Sequence, residues 1–247
     1  MKDKQMILAV ETSAAPVSCA VISCEGECLD TVKVLSSAMA TTPLPHSRTL
    51  LPMVRSTLEN AGISPDEITC VAVSNGPGSF TGVRIGVSAA KGFAFTNELP
   101  CIGVSTLAAM AHMWYRSGFE GLIVPVMDAR CSQIYTAVFE SDGKTVARLR
   151  EDMAIRQEEM LQYLLQQQKT VLLVGDGAEL CYSLWKDACP HLRLAGPMQR
   201  YQQAVGVALA ALGGVGQSCS AEQLQPTYLR LPQAERELKA RTAASRQ

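Results

Sequence analysis

Charge is scarce in this 247-residue sequence and nearly balanced. Asp, Glu, Lys and Arg make up only 18 %, and 22 basic residues face 23 acidic ones, for a formal charge of −1. That argues against a free-standing nucleic-acid binder, which neutralises phosphates with a clear Lys/Arg excess. No apolar window of about 18 residues occurs, so no membrane span is expected. Met1–Gln5 leads straight into a short apolar strand rather than a long hydrophobic run with a cleavage site, so no secretory signal is expected. No Cys-x-x-Cys pair occurs among the nine cysteines, which argues against zinc ribbons and redox dithiols. What is abundant is apolar: 47 % hydrophobic residues, enough for a packed core and too many for a disordered chain. Most cysteines lie inside the apolar runs, as reduced core thiols of a cytoplasmic protein would.

The apolar runs alternate with helical patterns. Ile7–Glu11 and Val17–Ser23 read as strands, followed by a turn at Glu25-Gly26-Glu27 and a strand from about Cys28 to Val34. Ser36 to Pro45 reads as a loop. His46–Ala61 has Leu50, Leu51, Val54, Leu58 and Ala61 at helical spacing, with Gly62 as a stop. Ile68–Ser74 reads as a buried strand, Asn75–Gly82 as a glycine-rich turn, and Thr81 to about Phe95 as a second helix. A strand at Ile102–Val104 precedes a helix capped by Ser105 and running towards Trp114. A second strand-rich stretch, Ile123–Met127 and Ile134–Phe139, aligns with the first at an offset of about 116 residues. Ile7–Glu11 matches Ile123–Asp128, Ala20-Val-Ile matches Ala137-Val-Phe, and Gly26 matches Gly143. The pattern predicts a duplicated α/β protein of two related lobes, residues 1–117 and 118–247. A glutamine-rich helix around Arg156–Gln168, a strand Thr170–Val174, a helix after Gly177 and another over Gln199–Gly213 complete the second half. The end, Arg230 to Arg246, carries a net charge of +3 and reads as a solvated, frayed helix.

Several signatures of chemistry are missing. Gly76-Pro-Gly-Ser-Phe-Thr-Gly-Val-Arg-Ile-Gly86 has no Lys after Gly82, so it is not a P-loop. Thr81 stands where a dinucleotide fingerprint needs its third glycine. The run predicts a rigid strand-to-helix turn, with Ser79 and Thr81 able to cap the helix and its first amides able to meet an anion. Gly76, Gly78 and Ser79 are therefore candidate anion contacts, with Thr12 and Ser13 beside them. Position i+4 from His46 is Leu50, so the helical His pair of a metal site is lacking, and no metal is expected. Glu11 and Asp128 end equivalent strands of the two halves. They can face one cleft and hold a metal–nucleotide complex, or each can stabilise its own turn. Gly82, Gly86, Ala90 and Ala94 recur every four residues and leave one helix face without bulk. Interior glycines cost about 1 kcal/mol each relative to alanine, so another backbone should approach there: the chain's own sheet or a second subunit.

These segments together resemble the bacterial TsaB (YeaZ) family of tRNA threonylcarbamoyladenosine biosynthesis. The matching stretches are Ile7–Ser13, His46–Pro52, Gly76–Gly86 with Ala90-Lys-Gly92, Gly103–Leu107, Asp128-Ala-Arg130, Gly175-Asp-Gly177 and Tyr228-Leu-Arg230. The resemblance implies an actin-like fold of the sugar kinase/Hsp70 type. It also implies a cytoplasmic, non-catalytic subunit that pairs with the paralogous TsaD, works with the ATPase TsaE, and forms a homodimer when alone. No cofactor is then expected on the isolated chain, ATP and metal belong to the partner subunits, and tRNA is held mainly by them. The family's pairing surface, carried onto this sequence, is formed by the first two helices: His46, Leu50, Leu51 and Val54, with Gly82, Gly86, Ala90 and Ala94. One departure is Glu11, where many members have Asp, which weakens any phosphate-proximal role there. The alternatives from other classes are an autonomous actin-like ATPase or small-molecule kinase using Glu11 and Asp128, and a metallopeptidase.

Overall fold

The structure, a computed structural model, describes residues 4–26 and 29–230. The first half opens with β1 (Lys4–Glu11), β2 (Val17–Glu25) and β3 (Lys33–Ala40), an antiparallel meander in which Leu8 pairs with Val21. Helix α1 (His46–Ala61) leads to β4 (Cys70–Gly76), parallel to β1. Helix α2 (Phe80–Thr96) leads to β5 (Cys101–Ser105), parallel to β4, and α3 (Thr106–His112) follows. The second half repeats the plan with β6 (Glu120–Asp128), β7 (Gln133–Asp142), β8 (Val146–Arg156), α4 (Gln157–Leu165), β9 (Val171–Val174), α5 (Ala178–Trp185), β10 (Leu192–Leu194) and α6 (Pro197–Arg200). The strand orders β3-β2-β1-β4-β5 and β8-β7-β6-β9-β10 are the same, so the duplication legible in sequence is a duplication of topology. This is the actin-like α/β architecture of two lobes, each a mixed sheet with helices.

Strand alternation assigns the faces. Leu8 and Val10 point outward under Leu50, Val54 and Leu58 of α1 and Val83 and Val87 of α2, while Ile7 and Ala9 point inward. In the second lobe Leu122, Val124 and Val126 meet Met160, Leu164, Cys181 and Trp185 of α4 and α5, and Ile123 and Met127 face Leu107 and Met110 of α3. The chain does not stay in the second lobe after α6. Helix α7 (Ala204–Leu212) packs beneath Ile7, Ala20 and Ile22 of the first sheet, and β11 (Ser218–Cys219) adds antiparallel to β5. Residues 204–230 therefore return to the first lobe across the expected boundary at 117/118.

Two local expectations are corrected. The strand expected over Cys28–Val34 is instead a short turn of 3₁₀ helix, Leu29–Thr31, followed by β3. That strand runs through the serines read as loop. Strand β8, rich in charge, was not expected at all. Each lies at an edge of its sheet, where both faces stay partly solvated and the apolar alternation that marks a strand fades. Helix α1, by contrast, ends where its sequence says, with Gly62 left-handed at φ 66°. Cys28 and the basic tail beyond Arg230 lie outside the described residues. Of the other cysteines, Cys19, Cys24, Cys70, Cys101, Cys181 and Cys189 are buried, and burial pushes the Cys19 thiol up to about 12.

Candidate functional site

Two concavities flank the start of α2. The first is the cleft between the lobes, about 530 Å³, where the carboxyl ends of β1 and β4 face those of β6 and β9. Ser13, Gly78, Ser79, Asp128 and Asp176 meet at its wall, together with Tyr228 and Arg230. The topology thus gathers most of the candidate anion contacts, but it leaves few of them free. Gly78 is bare because a Cβ there would stand 2.5 Å from the Ser13 carbonyl oxygen, and that oxygen accepts the Ser79 N–H at 2.7 Å. Gly76 (φ 125°) is bare because the Thr227 carbonyl would meet its Cβ at 2.2 Å. Ser79 Oγ accepts the Gly82 N–H at 3.2 Å as the helix N-cap. The space beside both glycines is filled by the protein's own backbone, so Gly76 and Gly78 are close-approach positions, and Gly78 stays on the cleft wall.

Glu11 does not reach the cleft. It is fully buried: Oε1 accepts the Ser13 N–H at 2.6 Å and Oε2 accepts the Ser74 hydroxyl. Thr12 is buried beside it, its hydroxyl donating to the Gly82 carbonyl at 2.7 Å. Asp128 is exposed, but Oδ1 accepts the Arg130 N–H at 2.7 Å, an Asx turn. Of the two readings of this pair, shared cleft or separate turns, the hydrogen bonds follow the second: one carboxylate is sealed and the other caps its own turn. An ATPase or kinase built on them loses its basis. Asp176, matched in sequence within Gly175-Asp-Gly177 but not among the candidate contacts, lines the cleft with a carboxyl pKa raised chiefly by desolvation, while Gln202 donates to it at 2.8 Å. Its signal was present in the left-handed Gly175 beside it, whose missing Cβ admits the Val126 carbonyl. Among the described residues no three His, Cys, Asp or Glu side chains assemble where a metal ion could sit.

Desolvation lifts the Glu11 carboxyl above its ordinary range, and hydrogen bonds from Ser13 and Ser74 oppose this only in part. The folded chain then holds that proton more tightly than the unfolded chain, whose value is near 4.5. Stability from this group is full at low pH and is lost as pH rises from 4.5 through the folded-state value. Glu11→Gln lacks the titration, so wild type should gain on the variant between about pH 8 and about pH 5 in urea unfolding. An equal gap at both pH values refutes the assignment.

The second concavity is an apolar groove of about 580 Å³ between α1 and α2, lined by Leu50, Leu51, Phe80, Arg84, Ile85 and Ala89 among others. Leu51 is 62 % exposed and Phe95, farther along α2, 70 %. The bulk-free stripe of α2 faces the other way. Gly82, Gly86, Ala90 and Ala94 are buried, and a Cβ on Gly82 or Gly86 would stand 2.1 Å from Thr12 O or 2.4 Å from Thr12 Oγ1. The stripe expected to meet a second subunit is spent inside the protomer, on the end of β1. Val54 is core as well, Leu50 is 1 % exposed at the base of the groove, and His46 is half-buried near the Ala15 carbonyl. Of the eight positions expected at a partner surface, Leu51 alone is exposed.

Comparison with known proteins supplies the family. Residues 41–236 match the family described as TsaD, tRNA N6-adenosine threonylcarbamoyltransferase. The tRNA threonylcarbamoyladenosine biosynthesis protein TsaB of Bacillus subtilis is 31 % identical over 77 % of this chain and 82 % of its own length. Its Escherichia coli counterpart is 32 % identical over 76 % and 82 %. YeaZ from Pseudomonas aeruginosa superposes with a TM-score of 0.70 at 25 % identity, covering 91 % of this chain and all of the other. A crystal structure of a Pseudomonas aeruginosa protein described as similar to peptidase YEAZ gives 0.72 at 28 % identity, over 92 % of this chain and all of that one. With the duplicated topology, the TsaD-type match over most of its length and TsaB relatives covered over about four-fifths of theirs, the chain belongs to the TsaB (YeaZ) family.

Proposed function

We propose that this protein serves tRNA threonylcarbamoyladenosine biosynthesis as a scaffold and activator subunit, pairing through the outer faces of α1 and α2 with a TsaD-type transferase and supplying no catalytic group itself. The observation that carries this reading is the solvent-facing apolar groove between those helices, set against a cleft whose glycines and first carboxylate are taken up internally. Exposed leucine and phenylalanine beside such a groove suit a protein partner. The relatives named for the same pathway, and the match to the transferase family itself, suggest a paralogous partner presenting equivalent helices. A second copy of this chain fills the same groove when the transferase is absent. TsaE and tRNA join through the transferase, since a nearly neutral chain offers few phosphate contacts. No helix among the described residues is long and apolar enough to cross a membrane, and the proposed compartment is the cytoplasm.

The test is reconstitution of threonylcarbamoyl transfer from threonylcarbamoyl-adenylate to tRNA by TsaD and TsaE, with and without this chain. Transfer should require the chain. Equal rates without it overturn the reading.

A further inference from the structure

The C-terminal stretch 220–230 runs back along α2 as a strap, and α2 touches it at three points on one side. The Tyr228 ring stacks on Phe80 with centroids 4.8 Å apart and planes 28° from parallel. The Arg84 guanidinium lies 3.8 Å from the Phe80 centroid, and its Nε donates to the Tyr228 hydroxyl at 2.9 Å. Lys91 Nζ donates to the Glu222 carbonyl at 3.2 Å. The strap itself is pinned. Thr227 N–H donates to the Asn75 carbonyl at 2.6 Å, Asn75 Nδ2 donates to Gln225 O and Thr227 Oγ1 at 3.2 Å each, and Leu224 is buried in the core beneath α2. Phe80 and Arg84 also line the apolar groove, whereas Tyr228 belongs to the cleft side.

We propose that Tyr228 is a positioning residue for the docking face, holding Phe80 and Arg84 in the arrangement that a partner meets although it lies on neither docking helix. The inference rests on the docking role proposed above. An exposed arginine has wide rotamer freedom, and fixing it on binding costs affinity. Here a ring on one side and a hydroxyl acceptor on the other order it in advance, and Arg84 in turn covers Phe80. The groove is therefore presented already shaped, and its shape depends on a segment about 145 residues away in sequence.

The experiment is calorimetric titration of full-length chain into the TsaD subunit of the same organism. Tyr228→Ala should weaken binding about tenfold. Tyr228→Phe, which keeps the stack and loses the hydrogen bond, should weaken it by about two- to threefold. A loss due only to general destabilisation would add to any other change. The proposal instead requires that Tyr228→Ala cost nothing further once Arg84→Ala and Phe80→Ala are in place. Leu51→Asp is run alongside. Wild-type affinity for Tyr228→Ala, with binding lost in Leu51→Asp, overturns the positioning role alone. Unchanged affinity in both overturns the docking reading beneath it. Full additivity with the Arg84 and Phe80 changes also overturns the proposal, and Tyr228→Phe keeps the test open should the alanine variant fold poorly.

Discussion

Leu51→Asp is expected to lose at least about a hundredfold in affinity for the transferase subunit while the isolated chain unfolds at nearly the wild-type temperature. Leu51 is 62 % exposed on the outer face of α1, so the substitution removes no core packing. Exposed changes of this kind usually alter stability by no more than about 0.5 kcal/mol. The same residue lines the groove with Ile85 and Ala89, which the proposed pairing covers. The one cation lining the groove, Arg84, is already held by the Tyr228 hydroxyl and the Phe80 ring, so a carboxylate closed into that contact without a new partner costs about 3 kcal/mol or more, because its hydration is not replaced. At about 1.4 kcal/mol per tenfold, this is the stated loss. Titration calorimetry reads the affinity, and a thermal melt of the free chain reads its fold. Binding at wild-type strength by a folded Leu51→Asp chain would remove α1 from the docking surface.

Gly86→Leu has the opposite expected profile: the monomer itself should fail. The helix–sheet gap at this position is one Cβ deep at most, with Thr12 Oγ1 2.4 Å from where that atom would stand and Val73 Cγ2 at 3.4 Å. The Thr12 hydroxyl already donates to the Gly82 carbonyl, so pushing it aside also unpairs that buried hydroxyl, while the carbonyl keeps its bond within the helix. Overpacking costs about 1–3 kcal/mol and the unpaired hydroxyl about 1–3 kcal/mol, against a helix-propensity gain of roughly 1 kcal/mol. The balance is a loss of about 3 kcal/mol. For a chain of this size that lowers the melting temperature by about 6–12 °C. Gly82→Ala should be worse than Gly86→Ala. The first sets a Cβ 2.1 Å from a backbone carbonyl, which cannot rotate away, and the second meets a side-chain hydroxyl, which can. Circular-dichroism melts of the three variants give the order. A stable Gly86→Leu chain that merely pairs less well would restore the expectation that this stripe faces a second subunit.

These two residues mark how far the sequence could be read. The four-residue period of Gly82, Gly86, Ala90 and Ala94 said that a backbone approaches one face of α2, and it does. It could not say whose, because a stripe of small residues is the same whether a strand end or another molecule lies against it. The duplication was legible because apolar strand triplets and turn glycines recur in register, and Gly26 and Gly143 are both left-handed at the ends of equivalent hairpins. The edge strands β3 and β8 were not legible, since strands paired on one side and solvated on both faces carry no sharp apolar alternation. Glu11 and Asp128 were correctly placed at equivalent strand ends. Their different fates depend on Ser74, which closes over Glu11, and on Arg130, whose amide turns Asp128 back on its own loop.

By itself, the sequence determined this protein's local geometry and its kinship. Helix faces, turn glycines, the doubled strand plan and the run from Gly76 to Gly86 all rest on neighbours a few residues apart, where periodicity and backbone conformation act. Tertiary structure alone decided what those elements face. The strap crosses from Gln225 and Thr227 to Asn75, about 150 residues earlier, and Thr227 fills the space that Gly76 leaves bare. Burial seals Glu11 and leaves Leu51 in solvent. Such pairings arise only when distant segments compete for the same volume, and that competition leaves no period along the chain.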